Sequence, residues 1–185
     1  MDVMILSNTT YSASDVARAT LLKPLTIQTW LKRDLIVGNR GIEGGETQGR
    51  HRRFSFHSII SFAIAKQLVD LTLSPKRAFE AAEKFAHSGH GSTQWVGDMR
   101  AESPRDTRHP GFPYHHTAGE TFLIIWDSGQ TVVCAESESK IERPYPALGK
   151  PLLIVSCNDV FNSVVSRLTS AHPYAVLDAE YGVNA

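Results

Sequence analysis

The sequence is poor in the features that mark secreted and membrane-spanning proteins. Its two cysteines, Cys134 and Cys157, lie far apart and outside any CxxC pair. No disulfide framework is therefore indicated, and we expect two buried, reduced thiols. No apolar run approaches the roughly 18 residues that a membrane span needs, and residues 1–11 lack the charged region and long apolar core of a signal peptide. We expect a cytoplasmic protein.

Motifs of enzyme active sites are also missing. The sequence contains no nucleophile elbow, no phosphate-binding loop and no motif of paired carboxylates. Asp127 and Ser128 lie in a predicted turn, and His115 and His116 follow a proline-rich loop. Neither pair has a partner at a recognisable spacing, so we expect no enzymatic activity, no catalytic residue and no cofactor.

Histidines cluster in or beside the segment 87–116, which is rich in glycine, proline and serine. Imidazole is a common zinc ligand, but no cysteine stands nearby and the spacing matches no metal motif. We expect solvated loop histidines and no metal site, and interpret the segment as a linker. The histidines concerned are His87, His90, His109, His115 and His116.

The formal net charge is zero, yet the charge is unevenly distributed. Residues 1–86 carry +4 and residues 87–185 carry −4. This asymmetry fits a nucleic-acid-binding N-terminal half and an acidic C-terminal half. We expect an N-terminal domain over residues 1–86, the linker over 87–116, and a C-terminal dimerisation or regulatory domain over 117–185.

Residues 11–54 contain the strongest functional signal. Ser12 and Asp15 stand at the spacing of a capping box, which predicts the start of a helix. A second start signal follows at Pro24, because proline suits a first helical position where its missing N–H has no partner anyway. The second helix is expected over residues 24–33, which gives a helix-turn-helix.

The two faces of this second helix differ in character. Ile27, Trp30 and Leu31 recur at offsets of three and four, which places them on the core face. Amides and cations on the opposite face can contact base edges, and hydroxyls and cations can hold phosphate. Taken alone, such a face also fits an ordinary solvated helix surface. Its residues are Thr26, Gln28, Thr29, Lys32 and Arg33.

A glycine-rich and then basic stretch follows the second helix. Five glycines occur between residues 38 and 49, where they permit tight reversals of the backbone. Arg50, His51, Arg52 and Arg53 come next, immediately before Phe54. Cations at this place can neutralise phosphates and release counterions, so the stretch is interpreted as the wing of a winged helix-turn-helix.

Residues 11–86 resemble the DNA-binding domain of the MerR family of bacterial transcription regulators. The resemblance lies in four segments, "YSASDVARAT", "KPLTIQTWLKRDLI", "GRHRRFSFHSIISF" and "LVDLTLSPKRAFEAAE". It implies that Trp30 packs the recognition helix onto the core. It also implies that residues 49–54 form a wing strand on the DNA backbone.

The resemblance implies a sequence-specific transcription regulator that binds double-stranded DNA, with RNA polymerase as a further partner. The apolar helix beside the small C-terminal sheet is a suitable dimer surface, so we also expect a second copy of the chain as a partner, which would suit two half-sites about one DNA turn apart. The expected DNA-contacting residues are Ser14, Thr26, Gln28, Thr29, Lys32, Arg33, Arg40, Arg50, His51, Arg52 and Arg53. The same fold also serves excisionase-like and architectural factors. A footprint at a promoter rather than at an attachment site distinguishes the two.

Several positions differ from the family pattern. Leu21 and Leu22 stand where a glycine usually closes the first helix, and Gln28 and Thr29 replace an arginine and a tyrosine. The missing arginine removes one phosphate contact, and the long dimerisation coiled coil of the family has no counterpart here. A protein-interaction adaptor that has lost DNA binding is therefore an alternative.

The rest of the chain predicts a small α+β arrangement. The apolar stretch 56–71 predicts a buried helix, and Pro75 begins another. Two strands, Thr121–Trp126 and Thr131–Ala135, predict a hairpin about the turn 127–130. The expected fold class is α+β.

A third strand is expected over residues 152–157. Asn158 or Asp159 is expected to cap the helix that follows, and Pro173 to end it. The tail after Leu177 is expected to be loose.

Overall fold

The structure, a computed structural model, describes residues 6–36, 42–43, 51–89, 107–126, 131–135 and 152–183. Within these residues the chain forms six α-helices and two small antiparallel sheets, so the α+β class is confirmed. The helices are α1 (Ala13–Thr20), α2 (Pro24–Lys32), α3 (Phe56–Asp70), α4 (Pro75–Ala86), α5 (Cys157–Leu168) and α6 (Pro173–Glu180). The strands are β1 (Thr10–Tyr11), β2 (Ile42–Glu43), β3 (Arg53–Ser55), β4 (Thr121–Trp126), β5 (Thr131–Ala135) and β6 (Leu152–Ser156).

The start of α1 has the predicted capping box. The Ser12 hydroxyl accepts the backbone N–H of Asp15 at 3.2 Å, and the Ser12 N–H donates to the Asp15 carboxylate at 3.0 Å. Helix α1 ends at Leu21, whose φ of 57° is left-handed although it carries a side chain. Pro24 occupies the first turn of α2 as predicted. The connection between the two helices is therefore only residues 21–23.

The first sheet has the strand order β1-β3-β2, and both pairings are antiparallel. Phe54 lies at its centre, because it stands opposite Tyr11 on one side and Ile42 on the other. Its side chain is fully buried. Phe54 thus connects the sheet to the core beneath α2.

Helix α3 is the centre of the molecule. It spans the predicted stretch, and Ser55 caps it by accepting the N–H of Ser58 at 3.2 Å. Side chains on every side of the helix are buried, as expected of a helix whose apolar residues do not keep to one stripe. Helices α1, α4 and α5 all pack against it.

Aromatic rings anchor α2 to this central helix. Trp30 stacks on Phe62 of α3, with ring centroids 6.1 Å apart, and meets Phe79 of α4 edge-on at 5.2 Å. Phe62 also packs against Phe54 of β3 at 6.1 Å. The expectation that Trp30 lies in the core is confirmed, since only 6% of it is exposed.

The second sheet has the strand order β5-β4-β6 and is antiparallel throughout. The predicted hairpin of β4 and β5 is confirmed, although its turn lies outside the described residues. The expected cap of the next helix is wrong. Ser156 caps α5 by accepting the N–H of Asp159, whereas the buried Asn158 accepts the N–H of Thr121 at 2.8 Å. Asn158 therefore joins α5 to β4.

The end of the chain is more ordered than the sequence indicates. Helix α5 ends at Leu168, and Pro173 begins α6 instead of ending α5. The tail after Leu177 is not loose, because α6 continues to Glu180. The buried Tyr181 then donates its hydroxyl to the Pro113 carbonyl at 2.7 Å. Burial raises the pKa of Tyr181 to about 12, so this donor keeps its proton.

Residues 107–116, which the sequence analysis assigns to the linker, pack against the core. Arg108 is buried and donates to the backbone oxygens of Lys84, Phe85 and Ser88, carbonyls at the end of α4 that need partners. Phe112 packs between Phe56 of α3 and Phe161 of α5, at 5.0 and 5.6 Å. One continuous apolar core thus includes residues of both halves of the chain.

The thiol of Cys157 is buried, as predicted, whereas the side chain of Cys134 lies outside the described part of the chain. None of the helices in the described ranges is both long and apolar enough to cross a bilayer.

The end of α3 yields a stability prediction. Thr72 follows this helix with φ 78°, and the N–H of Leu73 donates to the Leu68 carbonyl at 3.0 Å. Glycine favours this left-handed position, whereas a branched side chain is strained there. Thr72→Gly should therefore raise the free energy of unfolding by about 1 kcal/mol in urea titrations.

Thr169 provides the matched control. It also follows a helix, but its φ is −136°, which suits a side chain. Thr169→Gly should therefore destabilise the protein. If Thr72→Gly is equally destabilising, the left-handed turn is not a source of strain.

Candidate nucleic-acid interface

A groove of about 500 Å³ lies between α1, α2 and β3. Its floor is apolar, and polar side chains from α1, from α2 and from the residue that precedes β3 line it as well. The lining residues are Ala13, Ser14, Pro24, Ile27, Gln28, Leu31, Lys32, Arg52 and Phe54. Four of the eleven predicted DNA-contacting residues, Ser14, Gln28, Lys32 and Arg52, are therefore in one place.

Helix geometry positions two of these side chains. Gln28 and Lys32 are four residues apart on α2, so they project from the same face one turn from each other. Both are exposed, whereas Ile27 and Trp30 on the opposite face are buried. The predicted division of α2 into a core face and a polar face is therefore correct at these positions.

Strand geometry separates the two arginines before Phe54. Successive residues of an extended chain point to opposite sides, so Arg52 and Phe54 share the groove and Arg53 does not. Arg53 instead donates to the backbone carbonyl of Thr10 at 3.1 Å, and to the Thr10 hydroxyl. It ties β3 to β1, while Arg52 remains the cation that faces α2.

The remaining predicted contacts do not line the groove. Thr26 and Thr29 are half-buried, and the Thr29 hydroxyl donates to the Leu25 carbonyl at 2.8 Å. Arg33, at the end of α2, and His51 are exposed outside the lining. Arg40 and Arg50 lie outside the described residues, as does most of the predicted glycine-rich wing.

The acidic residue nearest in sequence to the groove lining is Asp15, and its negative charge is paired with a positive one. Hydrogen bonds from Ser12 hold the pKa of the Asp15 carboxyl below its usual value, and burial opposes this only in part. Arg18 forms an ion pair with the same carboxylate at 2.9 Å. The Ser14 hydroxyl lies 2.7 Å from that of Ser12. Among the described residues that line the groove, the charged ones are Lys32 and Arg52, and there is no Asp or Glu.

A second polar cluster joins residues that the sequence analysis treats separately. His115 and His116 both contact Asp178 of α6, and His115 is buried. The expectation of solvated loop histidines is therefore wrong for His115. It is also wrong for His87, whose side chain is only 11% exposed and lies 3.7 Å from the Glu83 carboxylate, whereas His90 lies outside the described residues. No local pattern identifies this cluster, because more than 60 residues separate the histidines from the aspartate.

Compared with known proteins, the chain matches no family model and is not significantly similar to any curated protein. The geometry of the groove is therefore the basis for assigning a function.

The groove depends on the anchoring of α2, which Trp30 provides. Trp30→Ala should lower the free energy of unfolding by about 3–5 kcal/mol, because it leaves a large cavity between α2, α3 and α4. Trp30→Phe should cost much less, since a ring still fills part of the site. Urea titrations measure both values. Equal and small losses in the two variants would contradict this anchoring role.

Proposed function

We propose that this chain is a sequence-specific transcription regulator that binds double-stranded DNA through a winged helix-turn-helix, with α2 in the major groove. The observation that carries the proposal is the convergence of Gln28, Lys32 and Arg52 on one face of the molecule. The similarity of residues 11–86 to MerR regulators agrees with it. In this proposal the paired strands β2 and β3, which follow α2, would belong to the wing.

The side chains on this face divide into two roles. The Gln28 amide carries both a donor and an acceptor, so it can bind the edge of an adenine with two hydrogen bonds. Lys32 and Arg52 are cations at the edge of the same face, where they neutralise phosphates on either side of the contacted bases. The Ser14 hydroxyl, at the start of α1, suits a further phosphate contact.

Homodimerisation is part of the proposal. A single groove with two cations in its described lining neutralises few phosphates, so the affinity of one copy should be modest. Two copies of the chain would double these contacts and place two α2 helices about one DNA turn apart. RNA polymerase is the further partner that transcription control requires.

Binding to DNA as a function of salt tests the proposal. Duplexes are first selected from a random-sequence pool with the unaltered chain, and their affinity is then measured from low to high salt. The affinity should fall steeply as the salt concentration rises, because counterions are released on binding. If no duplex is selected, or affinity is independent of salt, the proposal is wrong.

Lysine variants show whether the groove is the binding surface. Lys32→Ala should weaken binding roughly tenfold and lower the slope of log affinity against log salt by about one per copy. Lys84→Ala is the matched control, since Lys84 lines a separate depression beside β4 and β5. Equal effects of the two variants would place the DNA elsewhere, and thermal melts verify that both fold.

Variants of Arg52, which precedes β3, and of Arg53, its first residue, test the proposal more sharply. Arg52 lines the groove and Arg53 is bonded to Thr10, so Arg52→Ala should weaken DNA binding more than Arg53→Ala does. Arg53→Ala should instead lower the melting temperature, because it removes the hydrogen bonds from the Arg53 side chain to Thr10 of β1. Fluorescence anisotropy on the selected duplex and thermal melts measure the two effects. The reverse order would contradict the assignment.

A protein-interaction adaptor is the second candidate function. The observation that favours it is the accessible apolar lining of the groove, formed by Ala13, Pro24 and Leu31, together with the 72% exposure of Leu25 on α2. Such a surface suits an apolar side chain of a partner protein. In that case Arg52→Ala leaves partner binding intact, and the DNA selection returns no specific sequence.

A further inference from the structure

Two histidines and an aspartate converge at the junction of the 107–116 segment with α6. The Nε2 atoms of His115 and His116 each lie 2.9 Å from the same oxygen, Oδ1 of Asp178. All three candidate ligand atoms lie within 4.8 Å of one another. Two consecutive imidazoles therefore point to one place on the surface of the last helix.

These separations suit the coordination sphere of a transition metal. Metal bonds to imidazole nitrogen and carboxylate oxygen measure about 2.0–2.2 Å, so neighbouring ligand atoms of one metal lie about 3 Å apart. The two observed nitrogen–oxygen distances of 2.9 Å are of this size. The third pair, the two Nε2 atoms, lies within 4.8 Å, so the two rings would move closer together to hold one ion. Imidazole combined with carboxylate is a donor set that zinc and other first-row divalent metals accept.

The surrounding residues hold both imidazoles in orientation. The other ring nitrogen of His115, Nδ1, lies 2.8 Å from the Thr117 hydroxyl and accepts the Thr117 N–H at 3.4 Å, which fixes the orientation of the ring. His116 stacks on Tyr174, with centroids 4.7 Å apart and planes 17° from parallel. Tyr181 meets His115 edge-on at 5.9 Å.

One side of the cluster is open to solvent. The side chain of His115 is only 2% exposed, but those of His116 and Asp178 are 28% and 27% exposed. A metal binds an aspartate in its ionised form, as a carboxylate, and binds imidazole through an unprotonated ring nitrogen.

We propose that His115, His116 and Asp178 form a binding site for one divalent transition metal ion, with zinc as the best match to these ligands. Three protein ligands leave a coordination position on the exposed side for water or another small donor. The ion would connect the 107–116 segment to α6 and thereby stabilise the C-terminal end of the fold. This site is independent of the groove on α2 and of DNA binding.

Direct metal binding tests the proposal. The full-length chain, without an affinity tag, is dialysed against zinc, and its metal content and affinity are measured by elemental analysis and competition with a chromogenic chelator. Cobalt in place of zinc should give visible d–d absorption that reports on the ligands. We expect one ion per chain. A zinc content below about one ion per five chains, measured at micromolar zinc, would overturn the proposal.

Substitutions assign the ion to these residues. His116→Gln and Asp178→Asn should each weaken zinc binding at least tenfold, and both leave the buried His115 in place. His109→Gln is the matched control, because His109 pairs with Glu180 of the same helix at 3.1 Å but stands outside the cluster. Undiminished binding in His116→Gln and Asp178→Asn would overturn the proposal.

Thermal melts distinguish a metal site from a cluster that merely forms hydrogen bonds. Zinc should raise the melting temperature of the unaltered chain and of His109→Gln, because a ligand that binds the folded state stabilises it. It should not raise that of His116→Gln. If zinc leaves all three melting temperatures unchanged, the contacts to Asp178 are hydrogen bonds alone and the proposal is wrong.

Discussion

The burial of α3 is the constraint on which the rest of the structure depends. This helix carries apolar side chains on all sides of its first three turns, so it is stable in water only when other elements cover them. Helix α4 covers one side, α1 and α5 cover others, and Phe112 of the 107–116 segment packs between α3 and α5. Both halves of the chain therefore contribute to one core, and the N-terminal elements are held in place partly by residues from the C-terminal half.

The presentation of α2 follows from that core. Trp30 inserts between Phe62 and Phe79, which fixes the rotation of the helix about its axis. Once the tryptophan side is buried, Gln28 and Lys32 must point outwards, towards the approach to β3. The central position of Phe54 in the first sheet then places Arg52 beside them. A surface that suits nucleic acid is in this way a consequence of apolar packing on its opposite side.

The two proposed sites use different chemistry in different parts of the molecule. The groove has an exposed cation, Lys32, a half-buried cation, Arg52, and an amide beside an apolar floor. This suits a large polyanion, from which the cations release counterions on binding. The cluster at α6 has two imidazole rings and a carboxylate at short range, which suits a single small cation. Arg167, which donates to the Ala19 carbonyl at 3.2 Å, links α5 to the end of α1 and so connects the halves that carry the two sites.

Local sequence signals alone determined the elements whose cause is itself local. The capping box at Ser12, the prolines that begin α2 and α4, and the two hairpin strands each depend on neighbours within a few residues. Where neighbouring residues offered two possible helix caps, tertiary contacts determined which one was used. Asn158 is a good capping residue, but its side chain bonds to β4, so Ser156 caps α5 instead. Only the tertiary structure decided which of Arg52 and Arg53 lines the groove. It also decided that His115 is buried and contacts Asp178. Each outcome depends on packing between segments remote in sequence, which local periodicity does not encode.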